Sequence, residues 1–204
     1  GLSMGDKRES KKSYKRSAAQ VQGRRRSRPD VVLEAEPFEV DVHGLSHDGR
    51  GIARWREKTL FVSGALPGEA VTVKQTAEHG RFNEAKTLSV SRVSPDRIAA
   101  PCQYYDRCGG CNMQHLVAEQ QIQSKQNAVL DQIQRWGGLT PERVLPAMVS
   151  EPLGYRAKAR LAVHWQRNGQ PSLGFREVSS KQLVAVEQCL VLDSRLNRLI
   201  SPLQ

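Results

Sequence analysis

The stretch "PCQYYDRCGGCNMQHL", residues 101–116, places three of the four cysteines of the chain within ten positions. They are Cys102, Cys108 and Cys111, and the remaining one, Cys189, lies far along the chain. Thiols this close together favour a metal site in a chain without a secretory signal. Cys189 is therefore the candidate fourth ligand.

Two kinds of metal site suit this spacing, and the residues alone leave both open. Zinc takes four tetrahedral ligands and accepts four thiolates. An iron–sulfur cube also takes four thiolates, commonly three close together and one remote. The gap between Cys102 and Cys108 is less typical of a zinc knuckle, and Gly109-Gly110 would let backbone N–H groups approach bridging sulfides. A disulfide framework is disfavoured because a reducing compartment keeps thiols free.

The composition and the N-terminal sequence indicate in which cellular compartment the protein resides. The 204 residues suffice for one large or two small domains. No apolar run is long enough to cross a bilayer, and the N-terminus is too polar for a secretory signal. We expect a cytoplasmic protein without a membrane partner.

Most of the positive charge lies at the start of the chain. The whole chain holds 31 Lys and Arg against 21 Asp and Glu, a net charge of +10. Residues 1–28 hold ten of these bases and two of the acids, a net charge of +8. With almost nothing apolar to bury, residues 1–30 are predicted to be a disordered basic tail. The tail is either a solubiliser or an arm that binds phosphate backbones without reading sequence, and we favour the arm.

Short β patterns fill residues 31–95. Apolar residues alternate in "PFEVDVHGLS" (37–46), and further runs follow in "KTLFVSGAL" (58–66) and "EAKTLSVSRV" (84–93), with glycine turns between them. About five short strands with such turns predict a small closed barrel of the OB type, because closure removes exposed strand edges. Barrels of this type often bind oligonucleotides, which favours RNA as the partner.

Helical patterns follow the cysteine segment. From Leu116 to Trp136 the apolar residues fall on one helical face, and Gly137-Gly138 predicts the end of the helix. The residues of that face are Ile122, Val129, Ile133 and Trp136. Near the end of the chain, Asp193 is a candidate N-cap for a final short helix.

A basic strand is predicted in "YRAKARLAVHW", residues 155–165. As a strand it would carry one apolar face and one basic face, the latter with Arg156, Lys158 and Arg160. Asn168-Gly169 then predicts a hairpin to "SLGFREV" (172–178), where Arg176 would extend the same surface. Few acids are at hand to pair these cations, so we predict them as RNA phosphate contacts rather than a merely solvated face.

Together these motifs resemble those of the bacterial RNA uracil-C5 methyltransferases. "PCQYYDRCGGCNMQH" is similar to the cluster-binding segment of that family, "FVSGALPGEAVTV" (61–73) to its TRAM barrel, and "SPDRIAAPC" (94–102) to the junction between them. "GYRAKARL" (154–161), "LGFRE" (173–177) and the later Cys189 are similar to the central RNA-binding domain. The resemblance covers roughly residue 31 to the end of the chain.

The resemblance implies a cofactor, a substrate and a set of ligands. In that family four matching cysteines hold a [4Fe-4S] cluster, which implies Cys102, Cys108, Cys111 and Cys189 as the ligands here. A TRAM domain together with a cluster implies the branch that methylates uridine in 23S ribosomal RNA. S-adenosylmethionine is the implied methyl donor of the whole enzyme.

The predicted fold class is mainly β with an α+β portion. After the tail of residues 1–30, we expect an OB-like TRAM barrel over 31–95 and an incomplete α+β iron–sulfur central domain over 96–204. The family's Rossmann-like catalytic domain is expected to be absent, because the chain has no G-x-G-x-x-G turn, no long α/β alternation and no cysteine beyond the four ligands. The chain is thus predicted to be a monomeric N-terminal fragment without the catalytic nucleophile. The alternative is a stand-alone zinc- or cluster-bearing RNA-binding module without enzymatic activity.

Overall fold

A computed structural model describes residues 32–204 of the chain. The basic tail predicted over residues 1–30 lies outside the described residues. Over the described range, no helix is long and apolar enough to cross a membrane.

Six strands follow one another in the first part of the described chain. They are β1 (Phe38–Asp41), β2 (Gly44–Leu45), β3 (Gly51–Trp55), β4 (Lys58–Ser63), β5 (Ala70–Glu78) and β6 (Phe82–Arg92). They form one sheet in the order β1-β5-β6-β4-β3-β2. All neighbours pair antiparallel except β4 and β6, which run parallel. The sheet is therefore mixed.

The predicted strands are confirmed, and so is the closure of the sheet. In the pairing order β1 and β2 are the two end strands, and only Val42 and His43 separate them along the chain. The N–H of Val42 donates to the carbonyl of Glu69 beside β5, and the N–H of His43 donates to the carbonyl of Ile52 in β3, each over 2.9 Å. The stretch from Phe38 to Leu45 therefore pairs with β5 at one end and with β3 at the other, and joins the two ends of the sheet.

Successive side chains of a strand point to opposite faces of the sheet, so every second residue faces the core. Along β4, Leu60 and Val62 are completely buried, whereas Phe61 between them is only partly buried. Complete burial of such a side chain contributes about 1.5–3 kcal/mol. The buried cluster consists of Val40, Val42, Ala53, Leu60, Val62, Ala65, Val71, Val73 and Ala85.

A second set of elements follows the cysteine segment. They are α1 (Ala118–Gly137), β7 (Ala162–Trp165), β8 (Pro171–Arg176), β9 (Leu183–Ala185), α2 (Ser194–Asn197) and a 3-10 turn at Ser201–Leu203. The three strands form an antiparallel sheet in the order β7-β8-β9. The hairpin predicted at Asn168-Gly169 is confirmed, and Gly169 has the positive φ of 81° that favours glycine. A small apolar core lies around Val184 and Ile200.

Both predicted helices are confirmed at their caps. Gly138 ends α1 in the left-handed conformation, with φ of 62°, and the Asp193 side chain accepts a hydrogen bond from the backbone of Arg195 at the start of α2. The predicted apolar face of α1 is not covered by other described residues. None of its side chains is buried, and Trp136 is 86% exposed.

A buried ion pair joins the six-stranded sheet to the segment that leads to the cysteines. Glu69, just before β5, is completely buried, and Nε and Nη2 of Arg97 donate to its two carboxylate oxygens over 2.7 and 2.8 Å. The backbone N–H groups of Leu66 and Ser94 donate to the same carboxylate over 2.9 and 3.1 Å. Burial alone would raise the pKa of Glu69, but these hydrogen bonds outweigh burial and hold the pKa below its ordinary value.

We expect Glu69→Gln to lower the free energy of unfolding at pH 7 by about 3 kcal/mol or more, because it leaves the Arg97 guanidinium partly buried without its counter-charge. The folded-state pKa of Glu69 is depressed, so its contribution is complete above the ordinary value of 4.5 and is lost as the pH falls through the lower folded-state pKa. Denaturant unfolding of both proteins from pH 7 to pH 3 measures this.

The exposed carboxylate of Glu36 supplies the matched control. Glu36→Gln should leave both the stability at pH 7 and its acid dependence unchanged. If wild type and Glu69→Gln lost stability equally on acidification, the buried pair would not carry the acid dependence.

Candidate metal centre

Backbone pairing closes the cysteine segment at its base. Arg97 and Leu116 form an antiparallel bridge, and the N–H of Ile98 donates to the carbonyl of His115 over 3.0 Å. The side chains of Leu116 and His115 are buried. The two ends of the segment are thus held together, and Cys102, Cys108 and Cys111 lie on the loop between them.

A glycine in the six-stranded sheet lets the cysteine loop pack against it. Gly49, in the turn between β2 and β3, has φ of 82°, and a β-carbon there would lie 2.3 Å from the carbonyl oxygen of Asn112. The neighbouring Met113 side chain is buried and would lie 3.1 Å from the same β-carbon. Only glycine permits this close approach.

The glycine pair between two of the cysteines has a definite structural role. The N–H of Gly109 donates to the carbonyl of Arg176 in β8 over 2.9 Å, and a β-carbon on Gly109 would lie 3.0 Å from that oxygen. The N–H of Gly110 donates to Sγ of Cys108 over 3.4 Å. This contact brings a backbone N–H to the thiol of Cys108, and the predicted approach of such groups to bridging sulfides stays a prediction.

Cys189 reaches the same place from the other end of the chain. Its N–H donates to the Asn197 side chain in α2 over 2.8 Å, and its side chain packs against the small core around Val184. All four cysteines line one cavity, together with Tyr104 and Arg156 among others. The structure thus brings the four predicted ligands together.

The cavity disfavours negative charge on its thiols. Burial raises the pKa of both Cys108 and Cys111 above the ordinary value, and the neighbouring thiols raise them further. The Gln114 side chain and the charge of Arg156 act in the opposite direction on Cys111. A metal would have to displace these protons on binding.

The four thiols do not form a compact site for a single ion. Over residues 32–204, no three His, Cys, Asp or Glu side chains are grouped closely enough to hold one metal ion. Thiolates around zinc would lie about 3.8 Å apart, given tetrahedral Zn–S bonds of about 2.3 Å.

The predicted basic strand is wrong over residues 155–161. Only Ala162–Trp165 is a strand, and Arg156 forms a parallel bridge with Leu192 before it. The reason is local pairing, because the N–H of Arg156 donates to Val191 over 2.8 Å and its carbonyl accepts from Asp193 over 3.0 Å.

The four predicted RNA contacts therefore do not share one strand face. Arg156 lines the cysteine cavity, whereas Lys158 and Arg160 are exposed in the irregular segment before β7. Arg176 is exposed on β8, where its Nη1 donates to the carbonyl of Lys181 over 2.6 Å. The contribution of these four residues to RNA binding stays a prediction.

An aromatic surface lies on the six-stranded sheet, where no site residue was predicted. The Phe82 ring stacks on His79 with centroids 4.3 Å apart and meets Phe61 edge-on at 5.5 Å. The guanidinium of Arg50 lies 4.6 Å from the Phe61 centroid. We call Phe61, His79 and Phe82 the aromatic surface. In the sequence, this surface is indicated by Phe61, because it lies between the core residues Leu60 and Val62 and so belongs to the opposite face of β4.

Comparison with known proteins shows which proteins this chain is similar to. Residues 32–88 match the TRAM domain family model. The chain is 46% identical to the 23S rRNA (uracil(1939)-C(5))-methyltransferase RlmD of Alkalilimnicola ehrlichii over 182 residues, which are 89% of this chain and 40% of that protein. It is 43% identical to the protein of the same name from Acidithiobacillus ferrooxidans, over 87% of this chain and 40% of that protein. The resemblance to the RNA uracil-C5 methyltransferases is thereby confirmed. The chain spans about 40% of the length of these curated relatives.

A solved structure with the same fold corrects the predicted fold class. The Pyrococcus abyssi tRNA (uracil-54, C5)-methyltransferase in complex with S-adenosyl-L-homocysteine matches with a TM-score of 0.56 and 24% identity, over 81% of this chain and 35% of that one. We predicted an OB-like barrel and an α+β iron–sulfur domain without the Rossmann-like catalytic domain, yet 81% of this chain shares its fold with part of that methyltransferase, so that fold class is wrong. The prediction inferred an absence from missing local motifs, and a missing motif does not exclude a shared fold.

We expect Gly49→Ala to weaken the packing of the cysteine loop on the sheet, because its β-carbon meets the carbonyl of Asn112. Gly68→Ala is the matched control, since Gly68 has nearly the same φ, 84°, but nothing within 4 Å of its β-carbon. A positive φ in a non-glycine residue costs on the order of 1–3 kcal/mol, and both variants should show this loss. Gly49→Ala should lose clearly more in denaturant unfolding and expose the loop to protease. Equal losses in the two variants would show that the contact with Asn112 does not matter.

Proposed function

We propose that this protein takes part in the S-adenosylmethionine-dependent methylation of uridine at C5 in 23S ribosomal RNA, in the cytoplasm and as a monomer. Within it, the described residues would bind RNA and hold a [4Fe-4S] cluster. One observation carries the proposal: four thiols surround one cavity directly beside a TRAM domain, in a chain 46% identical to a 23S rRNA methyltransferase.

The donor set favours a cluster over zinc. Four thiols line one cavity, three of them from one short loop and one from a remote segment. A cluster of several iron and sulfide ions is larger than one ion and is held by four thiolates. The N–H of Gly110 beside Sγ of Cys108 also suits a cluster, since hydrogen bonds to sulfur tune such centres.

The residues that would hold the cluster are Cys102, Cys108, Cys111 and Cys189. When bound, a cluster of this kind supplies one-electron chemistry and a covalent cross-link between distant parts of the chain. The chain would add three ligands from a loop closed at Arg97 and Leu116 and one from the segment before α2. Metal binding would therefore stabilise the fold after Pro101.

The aromatic surface supports RNA binding by the TRAM domain. Bases of single-stranded RNA stack on aromatic side chains, and a uridine must leave its stack before it can be methylated. Phe61 and Phe82 are partly exposed on the sheet, and the side chain of His79 is 46% exposed. We propose that an unpaired base stacks on this surface.

The chemistry of methylation limits which roles the cysteines can take. A nucleophile must add to C6 of uracil before C5 can attack a methyl group, and a base must then remove the C5 proton. The chain has four cysteines, and the proposed cluster uses all of them. We therefore assign the described residues to RNA and cluster binding and none of their thiols to the addition at C6.

Anaerobically purified protein should contain iron and acid-labile sulfide, and Cys189→Ser should lose both, because the remote ligand is removed. The variant should also lose stability in the part after Pro101 while residues 32–88 stay folded, since the core of the sheet includes no cysteine. Metal analysis, a visible absorption spectrum and limited proteolysis measure these effects. Stoichiometric zinc without iron or sulfide in the wild-type protein would refute the cluster.

Phe82→Ala should weaken binding of a single-stranded uridine-containing fragment of ribosomal RNA about 5- to 150-fold, because stacking contributes about 1–3 kcal/mol per base. Leu88→Ala is the control, since Leu88 is an exposed apolar residue of the same strand, β6. Fluorescence anisotropy measures affinity, and a melting curve checks that each variant is folded. An affinity of Phe82→Ala equal to that of Leu88→Ala would remove the aromatic surface from the RNA contact.

A further inference from the structure

We infer that Arg156 provides the counter-charge of the metal cluster in the cysteine cavity and is not an RNA contact. The inference rests on the proposed cluster. It starts from the position of Arg156, which lines the same cavity as all four thiols.

The backbone of Arg156 is fixed to the segment that carries the remote cysteine. Its N–H donates to Val191 over 2.8 Å, and its carbonyl accepts from Asp193 over 3.0 Å. These two residues follow Cys189 closely. These bonds hold the backbone of Arg156 beside the segment that follows Cys189.

Arg156 has no carboxylate partner among residues 32–204. Other partly buried arginines do: Arg97 pairs with Glu69, and Arg50 pairs with Asp48 and Glu84. Arg156 is partly buried as well, yet no Asp or Glu side chain of the described range lies within 4.0 Å of it. A guanidinium keeps its charge at any ordinary pH, so partial burial without a counter-ion is costly unless an anion is supplied.

The thiols are the anion that this cavity can supply. Four thiolates carry more negative charge than the iron and sulfide core balances, so a bound cluster is a net anion. The remaining cavity wall includes apolar groups such as Phe175 and Val186, which screen charge poorly.

Two consequences follow for a cluster beside a fixed positive charge. The net negative charge of the cluster is balanced, which slows loss of iron. The reduced cluster carries one more negative charge than the oxidised cluster, so a nearby cation favours reduction and raises the reduction potential. Loss of the cation should reverse both effects.

The test compares Arg156→Gln, Arg156→Lys and the control Arg160→Gln in the full chain, purified anaerobically. Arg160 is an exposed cation four residues further on that does not line the cavity. The reduction potential is measured by spectroelectrochemical titration, and iron retention by the rate of its transfer to a chelator. We expect Arg156→Gln to have a more negative potential and to lose iron several-fold faster. Arg156→Lys should stay close to wild type, and Arg160→Gln should not change.

The possible failures are distinguishable. A wild-type protein without iron would overturn the cluster proposal and this inference together. A wild-type protein with iron, but with the same potential and iron retention in Arg156→Gln, would overturn this inference alone. Equal impairment of Arg156→Lys and Arg156→Gln would show that shape rather than charge matters. Weaker RNA binding of Arg156→Gln with an unchanged potential would restore Arg156 as an RNA contact.

Discussion

The rest of the structure depends on the buried pair of Glu69 and Arg97. Four donors converge on one carboxylate: two from the Arg97 side chain and one each from the backbone of Leu66 and Ser94. The pair therefore fixes the turn before β5, the end of the six-stranded sheet and the start of the next segment at one point. Because Arg97 also bridges Leu116, the same residue closes the base of the cysteine loop. The sheet therefore determines the position of the loop that carries three of the thiols.

The cysteine cavity is built by convergence of parts that are distant in sequence. The loop carries Cys108 against β8 through the N–H of Gly109, and α2 holds the backbone of Cys189 through Asn197. Both contacts are made by groups of the chain itself, and together they place the loop and the remote segment at one cavity. Burial nevertheless raises the pKa of Cys108 and Cys111, and hence disfavours the thiolates that a metal requires. A cation in the wall and a metal in the cavity would each offset that cost.

The sequence predicted features that depend on neighbouring residues and missed features that depend on contacts between distant segments. The short β run in residues 58–66, the cap at Asp193 and the glycine after α1 depend on a few neighbouring residues, and all three predictions are confirmed. The cysteine spacing also indicated the right four side chains for one cavity. The place of Arg156 depends on pairing with Val191 and Asp193, which no periodicity in residues 155–165 records. The fold class failed for a different reason, since it inferred an absent domain from missing motifs.

The number of basic residues is a poor guide to RNA contacts in this protein, because the cations differ in what neutralises them. Arg50 is paired with two carboxylates, so its contact with the Phe61 ring stiffens the aromatic surface more than it adds free charge. Arg97 is committed to Glu69, and Arg156 faces the thiols. Lys158 and Arg160 are exposed and form no ion pair with another residue of the described range. Phosphate contacts, which need uncommitted cations, are therefore better sought at these two residues, and base contacts at the aromatic surface.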